Sequence, residues 1–163
     1  MKKYATYTAS PLGEILLVGN AQALCGLWFK GQRYEPEIDP QWIWDAAPLK
    51  PAVDAVMAYF SGQALRLNYP VQPKGTAFQL SVWQMLQRIP LGATRTYMDV
   101  AQSLGKPQAV RAVGSAIGKN PISLVIPCHR VVGSSGALTG YAGGLKRKAW
   151  LLLHEQKGYS LSN

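Results

Sequence analysis

The chain has 163 residues, about half of them apolar (48%), which suits a folded protein of one domain or two small lobes and excludes a disordered or collagen-like chain. Two cysteines exclude a disulfide-rich scaffold, and no apolar run is long enough to span a bilayer. The 17 Lys and Arg against 8 Asp and Glu give a net charge of +9, so a basic ligand is a poor fit.

The N-terminal third alternates short β-like runs with turns. Strands are predicted at Tyr4–Thr8, Glu14–Val18 and Leu24–Phe29, punctuated by Pro11-Leu12-Gly13 and Gly19-Asn20, as in a small antiparallel meander. Cys25 lies in the third run, where an inert core thiol is expected. Residues 31–47 read as an irregular connection. Leu49, Val53, Val56, Met57 and Phe60 then follow helical spacing, and Gly62 stops the helix. Asn68–Gly75, with two prolines, reads as a linker between a 1–70 lobe and a 76–163 domain.

The second part is mostly helical. Thr76 caps a helix that buries Phe78, Val82, Leu86 and Ile89 and ends at Pro90-Leu91-Gly92. Thr96 caps a short helix through Tyr97, Val100, Ala101 and Leu104, closed by Gly105. Lys106-Pro107 opens the next, with Ala109, Val110, Val113 and Ile117 inside. Two short helices joined at a glycine make a helix-turn-helix unit, whose second helix carries Arg111, Gly114, Ser115 and Lys119 on a small, cationic face. A last helix runs over Leu145–Glu155. The fold class is therefore α/β of the α+β kind: a small N-terminal antiparallel sheet with a helix, and a mostly helical, winged-helix-like C-terminal domain.

Charge is uneven between the two parts. Residues 1–75 hold seven basic and six acidic side chains, whereas residues 76–163 hold ten basic and two acidic ones. A surface of net +8 on the helical part suits a polyanion, most simply nucleic acid. Charge alone leaves a generally basic protein without a specific ligand as an alternative. Met1-Lys2-Lys3 is not followed by a hydrophobic segment, so no signal peptide is expected and the free thiols suit a reducing cytoplasm.

The most informative run is Ile126-Pro127-Cys128-His129-Arg130-Val131-Val132. Two cationic neighbours favour the thiolate of Cys128, the nucleophilic form. Leu124, Val125 and Ile126 read as a buried strand that delivers it. A cysteine nucleophile needs a base and a group that orients the base. His129 is the candidate base, and Glu155, one of two carboxylates after residue 75, is the candidate orienting group. The alternative for Glu155 is a surface salt bridge with Lys148 or Lys157. Asn120 before Pro121 either caps the preceding helix or holds the cysteine turn.

Asn120-Pro121, Pro127-Cys128-His129-Arg130, Gly140-Tyr141-Ala142-Gly143-Gly144 and Leu151-Leu152-Leu153-His154-Glu155 together resemble the O6-alkylguanine-DNA alkyltransferase family. Thr76-Ala77-Phe78-Gln79, Ile89-Pro90-Leu91-Gly92, Thr96-Tyr97 and Arg111-Ala112-Val113-Gly114 agree. The resemblance covers residues 76–158 almost continuously; residues 1–70 match in general layout.

The resemblance implies irreversible transfer of a methyl or other alkyl group from O6-methylguanine, with O4-methylthymine as a further lesion, to Cys128. His129 is implied as a base acting through water, with Glu155 orienting it and Asn120 fixing the turn. Arg111 is implied as the finger that fills the stack when the base is flipped, and Tyr97 as a phosphate contact and donor to the guanine ring. Tyr97, Val131, Tyr141 and Ala142 would line the base pocket, and Gly114, Ser115, Arg95, Lys119 and Arg130 would face DNA, with the helix-turn-helix in the minor groove. Double-stranded DNA containing O6-alkylguanine is the expected partner of a monomer that needs no cofactor. The structural zinc of some relatives is not expected, since Cys25 stands alone there and no histidine precedes residue 129. Cys128, His129 and His154 lack metal-ligand spacing as well.

Two other classes compete. One is a non-catalytic DNA binder, either a helix-turn-helix regulator or an alkyltransferase-like protein that recognises lesions without accepting the group; the latter usually lacks the cysteine, which is present. A cysteine hydrolase would need direct thiol–imidazole contact, awkward for neighbours in an extended segment.

Overall fold

The computed structural model describes residues 1–162, with side chains described through Gly158. It divides into two compact units, Met1–Pro73 with Pro121–Val125, and Lys74–Asn120 with the chain from Ile126 onward.

In the first unit, β1 (Tyr4–Thr8), β2 (Ile15–Gly19) and β3 (Leu24–Phe29) form the expected antiparallel meander, with β2 one residue later than its pattern suggested. The sheet does not stay purely antiparallel. Within the connection expected to be irregular, β4 (Ile43–Trp44) pairs parallel with β1, giving the order β3-β2-β1-β4. The amide of Ile43 donates to the Lys3 carbonyl, and the amide of Asp45 to that of Ala5. Two residues cannot display a period of two, so this strand leaves no pattern to read. Ala5, Leu16 and Val18 form a core cluster with Cys25, Trp28 and Trp42 packed against it. Gly26 is required there: a Cβ would lie 2.1 Å from the Trp28 ring. The Cys25 thiol is pushed up by burial, in keeping with an unreactive core thiol.

Helix α1 (Lys50–Ser61) ends on Gly62 in the left-handed conformation at φ 83°. Its buried residues are Ala52, Val56, Tyr59 and Phe60, so the inner face is rotated from the one expected and Met57 is exposed. Part of the expected linker is ordered along β3: the Leu24 amide donates to Pro70 and the Gln72 amide to Leu24. Pro121–Val125 also borders β3, through Leu27 to Pro121 and Ser123 to Leu27.

The second unit is built on helices. In α2 (Ala77–Leu86), Thr76 accepts from the Gln79 amide while Gln79 Oε1 accepts from the Thr76 amide, a reciprocal capping box. Helix α3 (Tyr97–Ser103) opens with the same device, Thr96 paired with Asp99. Gly105, at φ 70°, makes the turn that follows. Pro107–Ala109 is a single 3₁₀ turn, and α4 (Val110–Gly118) begins after it. Helix α4 is tied to α2 by Trp83, whose Nε1–H donates 2.8 Å to the Ala116 carbonyl. Trp83, rather than Phe78, fills the inner face of α2. The last helix, α5, spans Leu145–Ser162. Two further strands of two residues each, β5 (Arg95–Thr96) and β6 (Val131–Val132), pair parallel, Arg95 with Val131 and Thr96 with Val132. They bring the start of α3 alongside the residues that follow Cys128. No helix among the described residues is long and apolar enough to cross a membrane.

Candidate active site

Leu124–Ile126 is buried as expected but is not a strand. Leu124 has φ 72°, a value that no strand residue adopts, so the segment turns sharply. Cys128–Arg130 then forms one 3₁₀ turn that feeds β6. The turn is fixed by Asn120, whose Nδ2 donates 2.8 Å to the Ile126 carbonyl across it.

The sulfur of Cys128 is buried, and burial pushes its thiol above the ordinary value. Opposing that push are a hydrogen bond from the Asn120 side chain, the charge of Lys148, and the backbone N–H groups of Cys128 and His129. This corrects the expectation that the flanking cations hold a thiolate. The guanidinium of Arg130 is turned to Glu155, and the cation facing the sulfur is Lys148, twenty residues on. The resting group is a thiol, and a base is needed to deprotonate it.

His129 is fully buried and its Nε2 lies 2.7 Å from Glu155 Oε2. Glu155, 1% exposed, is held ionised: burial raises its carboxyl, but His129 and Arg130 outweigh burial and bring it down to about 2. An ionised carboxylate only accepts, so the Nε2 hydrogen of His129 points at Glu155. Nδ1 is buried and has no hydrogen-bond partner among the described residues. The expected base and orienting group are therefore in contact, and the alternative pairing of Glu155 with Lys148 or Lys157 is not formed. Arg130 reaches both oxygens of the same carboxylate, Nε to Oε1 at 2.8 Å and Nη2 to Oε2 at 3.1 Å, and Nη1 donates 2.9 Å to the Ile89 carbonyl.

Tyr97, the first residue of α3, is half-buried, and its hydroxyl lies 3.1 Å from the carbonyls of both Thr139 and Gly140. Burial pushes its phenol up, with the Thr139 hydrogen bond opposing. Val131 is buried in β6; Tyr141 and Ala142 are half-buried. Gly143 lets the Tyr141 ring lie close, since a Cβ there would be 2.5 Å from it. Gly114 faces Tyr97, with a Cβ position 3.8 Å from the ring. Arg95, Arg111, Ser115 and Lys119 are exposed. Arg130, expected on DNA with them, has its guanidinium directed inward.

Lys148 was not foreseen as part of the site. It is fully buried, its Nζ donates 2.7 Å to the Thr139 carbonyl, and burial brings its ammonium down to about 8, with Cys128 opposing. The signal was its spacing: Lys148, Leu151 and Glu155 share one face of α5 and all three are buried. Among the described residues no three His, Cys, Asp or Glu side chains come together in a way that could hold a metal ion.

A buried cysteine with an imidazole, a carboxylate and an asparagine around it can accept a group from a small electrophilic centre. Comparison with known proteins specifies the family. Residues 3–73 match the 6-O-methylguanine DNA methyltransferase ribonuclease-like domain, and residues 77–157 match the DNA binding domain of the same proteins. The chain belongs to the 6-O-methylguanine DNA methyltransferase family. It is 47% identical over 153 residues to the methylated-DNA–protein-cysteine methyltransferase of Methanosarcina barkeri, covering 94% of this chain and 97% of that one. The Haemophilus influenzae protein of the same name is 41% identical, with 96% and 88% covered. Among solved structures, Mycobacterium tuberculosis OGT in complex with DNA superimposes with a TM-score of 0.87 at 39% identity, covering 97% of this chain and 94% of that one. The mixed architecture, a small sheet followed by a helical part, is thus that of the methyltransferase family.

Proposed function

We propose that this chain repairs alkylated DNA by moving the alkyl group of O6-methylguanine to its own Cys128. The observation that carries the reading is the buried thiol beside a histidine whose tautomer is fixed by an ionised carboxylate, in a chain of this family. The sulfur attacks the methyl carbon, a C–S bond forms and the C–O bond to guanine breaks. The thiol proton passes through a water to His129 Nδ1, and guanine leaves as its anion until protonated. A proton or hydrogen bond from the Tyr97 hydroxyl to the ring stabilises that charge in a water-poor site. Asn120 holds the turn and the sulfur. A thioether has no easy reverse reaction, so each molecule acts once.

The target carbon is out of reach inside a duplex, so the nucleotide is flipped out at a cost of a few kcal/mol. Exposed Arg111 on α4 enters the gap, and Arg95, Ser115 and Lys119 contact phosphates. Gly114 permits close approach of α4 in the minor groove. Val131, Tyr141 and Ala142 line the base pocket. The protein works in the cytoplasm as a monomer without a cofactor, residues 1–70 supporting the 76–163 domain.

Intact mass spectrometry after incubation with a duplex containing O6-methylguanine tests this. The expected result is a stoichiometric gain of one methylene on Cys128, absent in Cys128→Ser. Binding without a mass gain would mean a lesion binder instead, and turnover of an ester or amide a hydrolase.

A further inference from the structure

The Thr139 carbonyl takes two side-chain donors at once. Lys148 Nζ reaches it at 2.7 Å and the Tyr97 hydroxyl at 3.1 Å, with the Gly140 carbonyl a second acceptor 3.1 Å from the same hydroxyl. A phenol has one hydrogen, so its hold on two carbonyls is divided, whereas the ammonium makes the shorter, charge-assisted bond. Lys148 is fully buried, and a cation so placed needs an acceptor, so its bond to Thr139 is the permanent one. Both donors meet on one oxygen, so the ammonium lies no further from the phenol than the two hydrogen bonds laid end to end. Gly140, at φ 47°, leaves room for this meeting: a Cβ would lie 3.3 Å from the Tyr97 hydroxyl.

We propose that Lys148 is a positioning residue for the leaving group: it holds the Thr139 carbonyl and sets a positive charge beside Tyr97, which frees the phenol to give its hydrogen to the departing guanine. The inference rests on the reading of Tyr97 as that donor, and deepens it. The donation meets resistance. Burial holds the phenol above its ordinary value, and negative charge at Cys128 adds to this, so the phenol grips its hydrogen hardest as the sulfur reacts. A cation close to the phenol oxygen opposes that grip, most strongly where water is scarce. When the hydrogen swings from the loop to the guanine ring, the Thr139 carbonyl keeps its ammonium donor, so the exchange strands no acceptor there.

The test follows single-turnover methylation of Cys128 by peptide mass spectrometry with two methyl donors. One is a duplex containing O6-methylguanine; the other is methyl iodide, whose leaving halide needs no hydrogen from Tyr97. Lys148→Met slows both reactions, because the cation also faces the sulfur, but the loss with O6-methylguanine is larger by roughly tenfold. In a Tyr97→Phe background that excess disappears, since the group through which Lys148 acts is gone. Lys148→Gln also removes the charge, and it is carried through the same comparison, with the same expected excess, should Lys148→Met fail to fold. Equal losses with the two donors, or an excess that persists in Tyr97→Phe, overturn the proposal. A parent protein that takes no methyl from the duplex removes the repair reading and this inference with it, whereas equal losses in a parent that does react remove this inference alone.

Discussion

Replacing Glu155 by Gln keeps the shape of the His129–Glu155–Arg130 contact and removes its charge. The carboxyl is held at about 2 in the folded chain against an ordinary 4.5. At about 1.4 kcal/mol for each pH unit between the two, ionisation of this one group contributes on the order of 3 kcal/mol at neutral pH. The sign follows from the depressed value. The contribution is complete above 4.5, where both folded and unfolded carboxyls are ionised, and is lost as pH falls toward 2. By about pH 3, roughly 2 kcal/mol of it is gone. Urea unfolding at neutral pH and at about pH 3 measures this directly. The parent protein should lose stability between the two conditions by about 2 kcal/mol more than Glu155→Gln does. Every other carboxylate titrates in both proteins and cancels. At neutral pH the variant should be less stable by a few kcal/mol, because the Arg130 cation is left buried without a counter-charge. Equal acid sensitivity of the two proteins would refute the claim that Glu155 is held ionised by its two partners.

Arg111→Ala should slow repair of duplex DNA more than reaction with free O6-alkylguanine base, and equal loss on both substrates would argue against a role in flipping. Affinity for unmodified duplex should fall with salt, with a log–log slope of about −4 if about four phosphates are neutralised, and a flat response would remove DNA as the partner. Lys148 is depressed from 10.5 to about 8, so the unfolded chain binds the extra proton between those values and stability rises with pH across that window. Lys148→Met should abolish that alkaline rise and, by releasing the Thr139 carbonyl, slow transfer; an unaltered stability profile in Lys148→Met would show that the amine is not buried as a cation.

Local chemistry was legible in the sequence, and long-range pairing was not. Thr76 and Thr96 each announce a helix start, and their partners Gln79 and Asp99, three residues on, close both capping boxes. Gly62 and Gly105 mark stops because only a left-handed residue fits there. The nearness of Glu155 to His129 could be argued from the scarcity of acids in the second half of the chain. By contrast, β4, β5 and β6 have two residues each, too few to carry a period, and their partners lie tens of residues away. Leu124–Ile126 has the composition of a strand, but tertiary packing places Leu124 at a positive φ. Nothing in their residue type marks Lys148 and Arg130 as inward-facing, because lysine and arginine usually face solvent. Only the carbonyls and carboxylate that receive them explain their burial.

Those two burials give the site two separate tasks for positive charge. Arg130 answers a charge that is always present, the Glu155 carboxylate. Lys148 faces Cys128, where a negative charge appears only if the thiol loses its proton. The distinction bears on reactivity, because nucleophilicity falls as a thiol becomes more acidic. A thiol pushed up by burial is rarely ionised at rest, yet it is the stronger nucleophile once its proton is removed. Lys148, Asn120 and two backbone N–H groups lower the cost of that moment without making it permanent. On the proposed reading, the base that takes the proton is His129, whose ring is held by Glu155.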